Sequence, residues 1–427
     1  MTIPSAPRIL LSEGSSLSAR EAVTAFGLAG FKVELVSSDP MCLARFSRFV
    51  THVHPAPPSG RDPEGYLAAV LDVVARRSID VLLPVHEQAY LFAAAKDRLP
   101  RGLGVALAEF AAFERVQSKT ALTTLLSQLD IPQPATEIVR TVEGFTAGRD
   151  YPFFAKTAFG TASAAVWRVA DDAQRDDLAR HLRERGAFHE GVVVQAAADG
   201  PLERCQAVFD RGRLVVHHAY RQLVEGPGGG DVIKVSVRRP KARACVERIG
   251  VALGWHGALS FDYVVDSASG LPLFFDANPR LVEPMNAWLS GADLAGALLR
   301  VSLGRSPEVQ DDGREGVVTR LGLMGLMDAA RQRGRRGDVL RELVLLACSA
   351  GRYRGSAEEL VPLLADPFCI APLAVVVGKL LGSPASGTRL SRDTVEAYSL
   401  TPAAIERLRE WAIRPVPMPE NYLFDAP

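Results

Sequence analysis

The sequence is poor in the features that would make it a disulfide scaffold, a membrane protein or a nucleic-acid binder. Its five cysteines (Cys42, Cys205, Cys245, Cys348, Cys369) are odd in number, scattered through 427 residues and never paired as CxxC. That usage excludes a disulfide framework and a zinc knuckle. There is no net charge, since 49 Lys and Arg balance 49 Asp and Glu, so no overall basic field is available for nucleic acid or an anionic membrane. No apolar run is long enough to cross a bilayer, and the first residues lack a charged stretch followed by an apolar core. A reducing cytoplasm is therefore the expected compartment. GxGxxG, GxSxG and any Ser-His-Asp nucleophile arrangement are also missing, which removes the dinucleotide fingerprint and the hydrolase elbow. The length is sufficient for two or three domains with at least one substantial core.

What is present is an ordered series of strands whose exits carry polar residues. Residues 8–12 form an apolar run, followed by Glu13-Gly14-Ser15-Ser16, a helical pattern over 17–29 and a second apolar run over 32–36. Strand, loop, helix and strand in that order predict a parallel pair, with the loop holding Ser15 at the carboxyl end of the sheet, where open α/β sheets bind ligands. Another buried-type strand over 80–84 ends at His86 and Glu87. Lys119 opens an amphipathic helix that stops before Ile131-Pro132-Gln133-Pro134, because prolines at that spacing end a helix and begin an extended connector. The run Tyr151-Pro152-Phe153-Phe154-Ala155-Lys156 places a lysine before a loop of small residues that includes Gly160 and Ser163. A lysine beside such a loop can meet phosphate oxygens with its ammonium and with backbone N–H groups; most strand-ending lysines are merely solvated.

Further strands are expected over 191–195, ending in Gln195, and over 203–209 and 214–223. The glycine-rich stretch 225–231 reads either as a lid over a reactive site or as a loose surface loop. Lys234 and Arg238 flank its far end. Residues 261–266 and 271–280 then read as a hairpin whose turn is closed by Gly270 in a left-handed conformation. Because side chains alternate along a strand, Asp276 and Asn278 share a face, and a three-residue loop adds Asp262 opposite Asp276. Two carboxylates and an amide so placed suit Mg2+ with a nucleotide phosphate; the ordinary alternative is a half-exposed hairpin with surface acids.

Taken in order, Lys119, Lys156, Gln195, Asp262 and the segment Asp276-Ala277-Asn278-Pro279-Arg280 resemble the ATP-grasp superfamily over roughly residues 8–305, most closely the carboxylate-amine ligases whose grasp domain is similar to carbamoyl phosphate synthetase. The resemblance implies an α/β fold, α+β in the grasp domain. Its parts are a parallel-sheet pre-ATP-grasp domain (1–112), a two-lobed ATP-grasp domain (113–305, small lobe about 135–195) and a mainly helical C-terminal appendage (306–427). It implies that Lys119, Lys156, Gly160 and Ser163 hold phosphates, that Gln195, Ala196 and Ala198 line the adenine, and that Glu203 meets the ribose. Asp262, Asp276 and Asn278 would hold Mg2+, two ions, with Mn2+ as a substitute. Arg280 would sit beside the transferred phosphoryl group or the substrate carboxylate, Lys156 and Arg238 would be further catalytic residues, and Ser15, His86, Glu87, Lys234 and Glu283 would face the substrates. Gln195 stands where Glu is usual, and Asp276 replaces a commoner Glu, which shortens that ligand by one methylene.

The implied activity is ATP-dependent joining of a small-molecule carboxylate, activated as an acyl phosphate, to an amine such as an amino acid, in small-metabolite or peptide biosynthesis. Alternatives are a phosphotransferase without an amine acceptor and a nucleotide-binding regulator without turnover. Neither nucleic acid nor membrane is an expected partner, and the appendage is expected either to pack on the grasp domain or to make a homodimer contact. Helical patterns in that appendage are expected over 317–331, 338–350, 388–399 and 401–411.

Overall fold

Three sheets stack along the chain. The computed structural model describes residues 6–160, 165–385 and 399–413; Ser163 and nearly all of the expected 388–399 helix lie outside these. The first sheet is parallel, in the order β3-β2-β1-β4, from β1 (Ile9–Leu11), β2 (Val33–Ser37), β3 (Val50–Pro55) and β4 (Val81–Leu83). The central strands β2 and β1 and the end strand β4 are buried along their whole length, as runs of Val, Ile and Leu covered on both faces must be. Helix α1 (Leu17–Leu28) starts where the Ser16 side chain accepts the Ala19 N–H, and α2 (Pro63–Arg77) starts at Asp62 with a proline at its first position. Both are preferred starting arrangements.

After α3 (Gln88–Ala94) and α4 (Phe110–Gln117), α5 (Lys119–Gln128) leads into the second sheet. This is antiparallel, in the order β5-β8-β6-β7, from β5 (Thr136–Val139), β6 (Phe153–Thr157), β7 (Val166–Val169) and β8 (Val192–Ala196), with α6 (Val142–Thr146) and α7 (Asp172–Glu184) on one side. Its small core joins Phe145, Phe153, Leu178, Leu182, Val192 and Val194.

The third sheet has seven strands in the order β13-β12-β9-β10-β11-β14-β15. These are β9 (Leu202–Asp210), β10 (Arg213–Glu225), β11 (Asp231–Val237), β12 (Gly257–Val265), β13 (Pro272–Asn278), β14 (Val318–Arg320) and β15 (Ala357–Glu358). Helix α8 (Pro240–Leu253) covers one face, where Cys205, Ala207, Phe261, Tyr263 and Phe274 join a core with Val246, Ile249 and Trp255. On the opposite face, α10 (Leu294–Ser302), which follows α9 (Met285–Ser290), covers one end through Val208, Ala258 and Leu298. The rest of that face carries the polar residues.

The region after residue 306 differs from the expected helical appendage in one respect. Residues 318–320 are a strand, and only from 322 does α11 (Gly322–Arg333) begin. β14 and β15 extend the large sheet, because β11 would otherwise expose an unpaired edge. Helices α12 (Arg336–Ala347), α13 (Ile370–Gly382) and α14 (Pro402–Ile413) complete the described chain. Among the described residues, no helix is long and apolar enough to cross a membrane.

Candidate functional site

The β12–β13 hairpin sets the site. Asp262 lies opposite Asp276 and Ser260 opposite Asn278, so Asp262, Asp276 and Asn278 share the open face of the sheet. The route to this register differs from the expected short turn. The strands end at Val265 and Pro272, and Gly270 closes the longer loop at φ +64° with its N–H on the Asp266 carbonyl at 2.8 Å. On the turn side Tyr263 faces Phe274; continuing that register would set Asp262 opposite Phe275. A bulge at Phe275 takes up the extra residue and returns Asp276 to the face of Asp262, as a single inserted residue does.

The bulge also supplies a ligand for the facing lobe. Lys156, at the exit of β6, donates to the Phe275 carbonyl at 3.0 Å and to Gln195 Oε1 at 2.8 Å, and its ammonium lies 4.7 Å from the Phe275 ring centroid. Gln195 is oriented in turn by donating from Nε2 to Thr136 Oγ1 at 2.8 Å. Burial pushes the Lys156 ammonium down to about 8, with Asp276 pulling the other way and Lys119 adding to the fall. Lys119 is the first residue of α5, after Ser118, and its Nζ lies 3.1 Å from Asp276 Oδ1.

Each oxygen donor of the hairpin thus has a cationic neighbour. Asp276 has Lys119. Asp262 Oδ2 is 3.3 Å from Arg204 Nε, and Asn278 Oδ1 accepts from Arg280 Nη2 at 3.1 Å. Burial pushes Asp262 up to about 6 against the pull of Arg204. The donor set is hard oxygen on one face, beside two lysines and two arginines, which is the chemistry that holds Mg2+ and a polyphosphate. Gly160 itself (φ +154°) packs against Ala165, since a Cβ added there would come within 2.1 Å of Ala165 Cβ.

Two of the expected site residues stand elsewhere. Glu203 pairs across the strands with Tyr263 and Arg221, on the face opposite Asp262. Its wholly buried carboxylate accepts from Arg221 at 2.9 Å, from Arg239 at 2.7 Å and from Tyr263 at 3.2 Å, so it does not reach a ribose on the open face. Its neighbour Arg204 is the residue that points there. Arg238 lies just past the end of β11, exposed, with Nε 3.4 Å from the Gly313 carbonyl, apart from the cluster. The glycine-rich segment is no free lid either. Pro227–Gly229 form a tight turn between β10 and β11, and the Gly229 carbonyl accepts from Arg204 Nη2 at 2.9 Å. Arg204 also binds Asp231 at 2.6 Å.

The remaining expected residues fall in four places. Ala196 and Ala198 lie at the exit of β8, where the Ala196 N–H is held by the Ala135 carbonyl at 2.8 Å. Ser15 borders a recess of about 230 Å³ at the carboxyl ends of β1 and β2, with Ser12, Glu13, Ser37 and Gln88. Glu87 accepts from Gln117 at 3.1 Å. His86 is held well below its ordinary pKa by burial and by nearby Arg280, which places the exit of β4 beside the arginine. Lys234 and Glu283 meet at 2.9 Å.

Arg204 and Asp231, which stand beside Asp262, were not legible as neighbours of the hairpin acids. Strand alternation could have chosen Arg204 over Glu203, but only once the pairing of β9 with β12 was known.

No family model matches the sequence, and no curated protein matches it significantly. Solved structures do. An L-amino acid ligase from Bacillus licheniformis superposes with TM-score 0.55 at 17% identity, over 70% of this chain and 75% of that one. The biotin carboxylase domain of a 2-oxoglutarate carboxylase from Hydrogenobacter thermophilus, solved as a dimer with MgADP, ADP and bicarbonate, gives 0.60 at 13%, over 73% of each. An N5-carboxyaminoimidazole ribonucleotide synthetase from Thermus thermophilus gives 0.57 at 14%, over 81% of this chain and 99% of that one. The chain has the ATP-grasp fold that these ligases share.

Proposed function

We propose that the protein is an ATP-dependent ligase that activates a carboxylate as an acyl phosphate and joins it to an amine, forming an amide. The observation that supports this best is the meeting of two lobes at one point: Lys156 of the small sheet donates to the bulged backbone of the hairpin that carries Asp262, Asp276 and Asn278. That arrangement puts cationic groups from one side and metal-type oxygens from the other around a single cleft.

ATP is the substrate that fits the cleft. Its adenine would lie at the exit of β8, where Ala196 has only its carbonyl to offer because its N–H is engaged. Lys119, Lys156 and the backbone at Gly160 would hold the phosphates. Asp262, Asp276 and Asn278 would hold Mg2+, or Mn2+ in its place, which when bound neutralises phosphate charge. Phosphoryl transfer asks little covalent work of a protein, so rate comes from alignment and charge neutralisation. Arg280, beside Asn278 and the first-domain exits at Glu13 and His86, is placed to orient the carboxylate that attacks. The B. licheniformis ligase, by its own name, acts on L-amino acids; an amino acid is accordingly the first amine to try.

A panel of acids and amines assayed for coupled ADP release, followed by mass spectrometry of the product, tests the reading. Asp276→Ala and Lys156→Ala should each lower ADP release at least about 100-fold with the fold intact, the scale of removing one preorganised electrostatic group. Full activity in either variant would refute the site. ADP with a stable phosphorylated product and no amide would make the protein a phosphotransferase, and ATP bound without turnover across the panel would make it a regulator.

A further inference from the structure

Four ionisable side chains from four separate segments meet under the open face of the large sheet. They are Glu21 of α1, Lys234 of β11, Glu283 three residues after Arg280, and Glu359 just past β15. Oxygens of the three carboxylates lie within 4.8 Å of one another. Lys234 Nζ sits 2.9 Å from Glu283 Oε2 and 2.9 Å from Glu359 Oε2. Glu21, Lys234 and Glu359 are 0% exposed, whereas the Glu283 side chain is 15% exposed, so the group opens only at Glu283. Glu21 Oε2 accepts the Met285 N–H at 2.9 Å. Glu21 Oε1, buried, has no hydrogen-bond partner among the described residues, while the Glu359 carboxylate also draws on the Thr319 hydroxyl.

Three acids against one lysine leave the group two negative charges out of balance. Burying unpaired charge is costly, so the imbalance must be met by protons or by a ligand. Burial raises both buried carboxyls, Glu21 well above its ordinary range with Glu359 adding to it, and Glu359 against the pull of Lys234. A cation entering at Glu283, where the group opens, lowers the remaining imbalance and leaves Lys234 between two of the acids.

The opening lies on the side of the phosphate site. Ser260 Oγ donates to the Arg280 carbonyl at 3.1 Å, and Gln206 Nε2 donates to the Val282 carbonyl. These bonds hold the segment from Arg280 to Glu283 over the strands that carry Asp262. Arg204, which pairs with Asp262, also feels the charge of Glu283. We propose that Glu283, with Lys234, Glu21 and Glu359 behind it, receives the ammonium group of the amine substrate. The inference rests on the ligase reading. It makes the first domain and the chain beyond residue 306 part of the amine site, because α1 supplies Glu21 and the segment after β15 supplies Glu359.

The test uses the full chain, an acid that supports turnover, and two nucleophiles. Hydroxylamine is neutral at pH 7.5 and captures an acyl phosphate as a hydroxamate; an amino acid presents an ammonium group. In Glu359→Gln, which removes a carboxylate bound to Lys234, the ratio of amide to hydroxamate should fall at least tenfold, with a matching rise in KM for the amino acid and little change in KM for ATP. Glu283→Gln, at the half-buried mouth, should do the same and covers the case in which a buried variant fails to fold. Folded variants in which amide and hydroxamate fall together, or in which the ratio is unchanged, would overturn the inference alone. If the wild-type chain yields neither product with any acid, the ligase reading falls and this inference falls with it.

Discussion

Lys156 is nearly buried, bound to Gln195 and to the Phe275 carbonyl, and held at about 8 rather than the ordinary 10.5. Between these values the folded chain binds fewer protons at this site than the unfolded chain. Its contribution to stability therefore rises with pH across that window, and the full penalty is present below about 8. Bound phosphate reverses the preference, since it favours the charged ammonium. Affinity for ATP should fall as pH rises above about 8, by at most about tenfold per unit, and Lys156→Met should bind more weakly at pH 7 and lose that dependence. Calorimetric titration between pH 7 and 9.5 checks both. Glu203 gives a contrasting expectation. Its carboxylate is buried among Arg221, Arg239 and Tyr263, so Glu203→Ala should cost about 3–5 kcal/mol, the scale for removing one partner of a buried ion pair. Urea unfolding would show that loss, while the affinity for ATP should stay within about threefold. A large loss of ATP affinity in folded protein would return Glu203 to the ribose. The structure brings Lys119, Lys156 and the three hairpin donors together; Lys156 and the donors could be read from a strand exit and period-two alternation, and Lys119 from its place at the start of a helix. Glu203 was misplaced because two neighbours on a strand always point to opposite faces, and the choice between them belongs to the partner strand.

The hairpin makes the same point for an element. Its existence and its acids could be read from two apolar runs around Gly270, but its register could not, because the turn is longer than the shortest reading and an extra residue sits inside β13. The two departures cancel, which is why Asp262 still faces Asp276. Bulges are settled by backbone pairing rather than by side-chain type, so nothing in Phe274-Phe275-Asp276 announces one. Deleting Phe275 should straighten β13, turn either Asp276 and Asn278 or the turn-side residues to the wrong face, and abolish ADP release. Phe275→Leu should keep the bulge and its carbonyl, losing only the ring beside Lys156, and retain activity within about thirtyfold, given the ~0.5–2 kcal/mol range of such contacts. Activity in the deletion variant would refute the role given to the bulge. The strands β14 and β15 were hidden for a related reason. Three residues and two residues are too few to show a period, and their pairing is imposed by the open edge of β11.

At the scale of the whole molecule, the chain beyond residue 306 turns back over parts that the sequence treats as separate. Asp366, fully buried, accepts from Arg20 Nη2 at 2.9 Å and from the Arg48 N–H at 2.9 Å, which fastens the appendage to the first domain. Arg409 of α14 reaches further. Its Nε donates to Glu114 of α4 at 2.9 Å, its Nη1 to Glu190 just before β8 at 2.8 Å, and its guanidinium lies 4.9 Å from the ring centroid of Phe159, in the loop after Lys156. One side chain thus ties the last helix to the approach to Lys119 and to two edges of the small lobe, so the position of that lobe over the hairpin depends on the C-terminal helix. Each of these half-exposed pairs contributes about 0–1 kcal/mol, enough to bias a lobe but not to hold the fold. Arg409→Ala should accordingly lower Tm by only a few degrees, since about 1 kcal/mol moves a chain of this size that little. Hydrogen exchange should accelerate at residues 188–196 and 157–160 but not in the first sheet, and KM for ATP should rise several-fold because the nucleotide must then order the lobe itself. Unchanged exchange in the small lobe, with ATP affinity intact, would show that α14 packs on the molecule without governing the cleft.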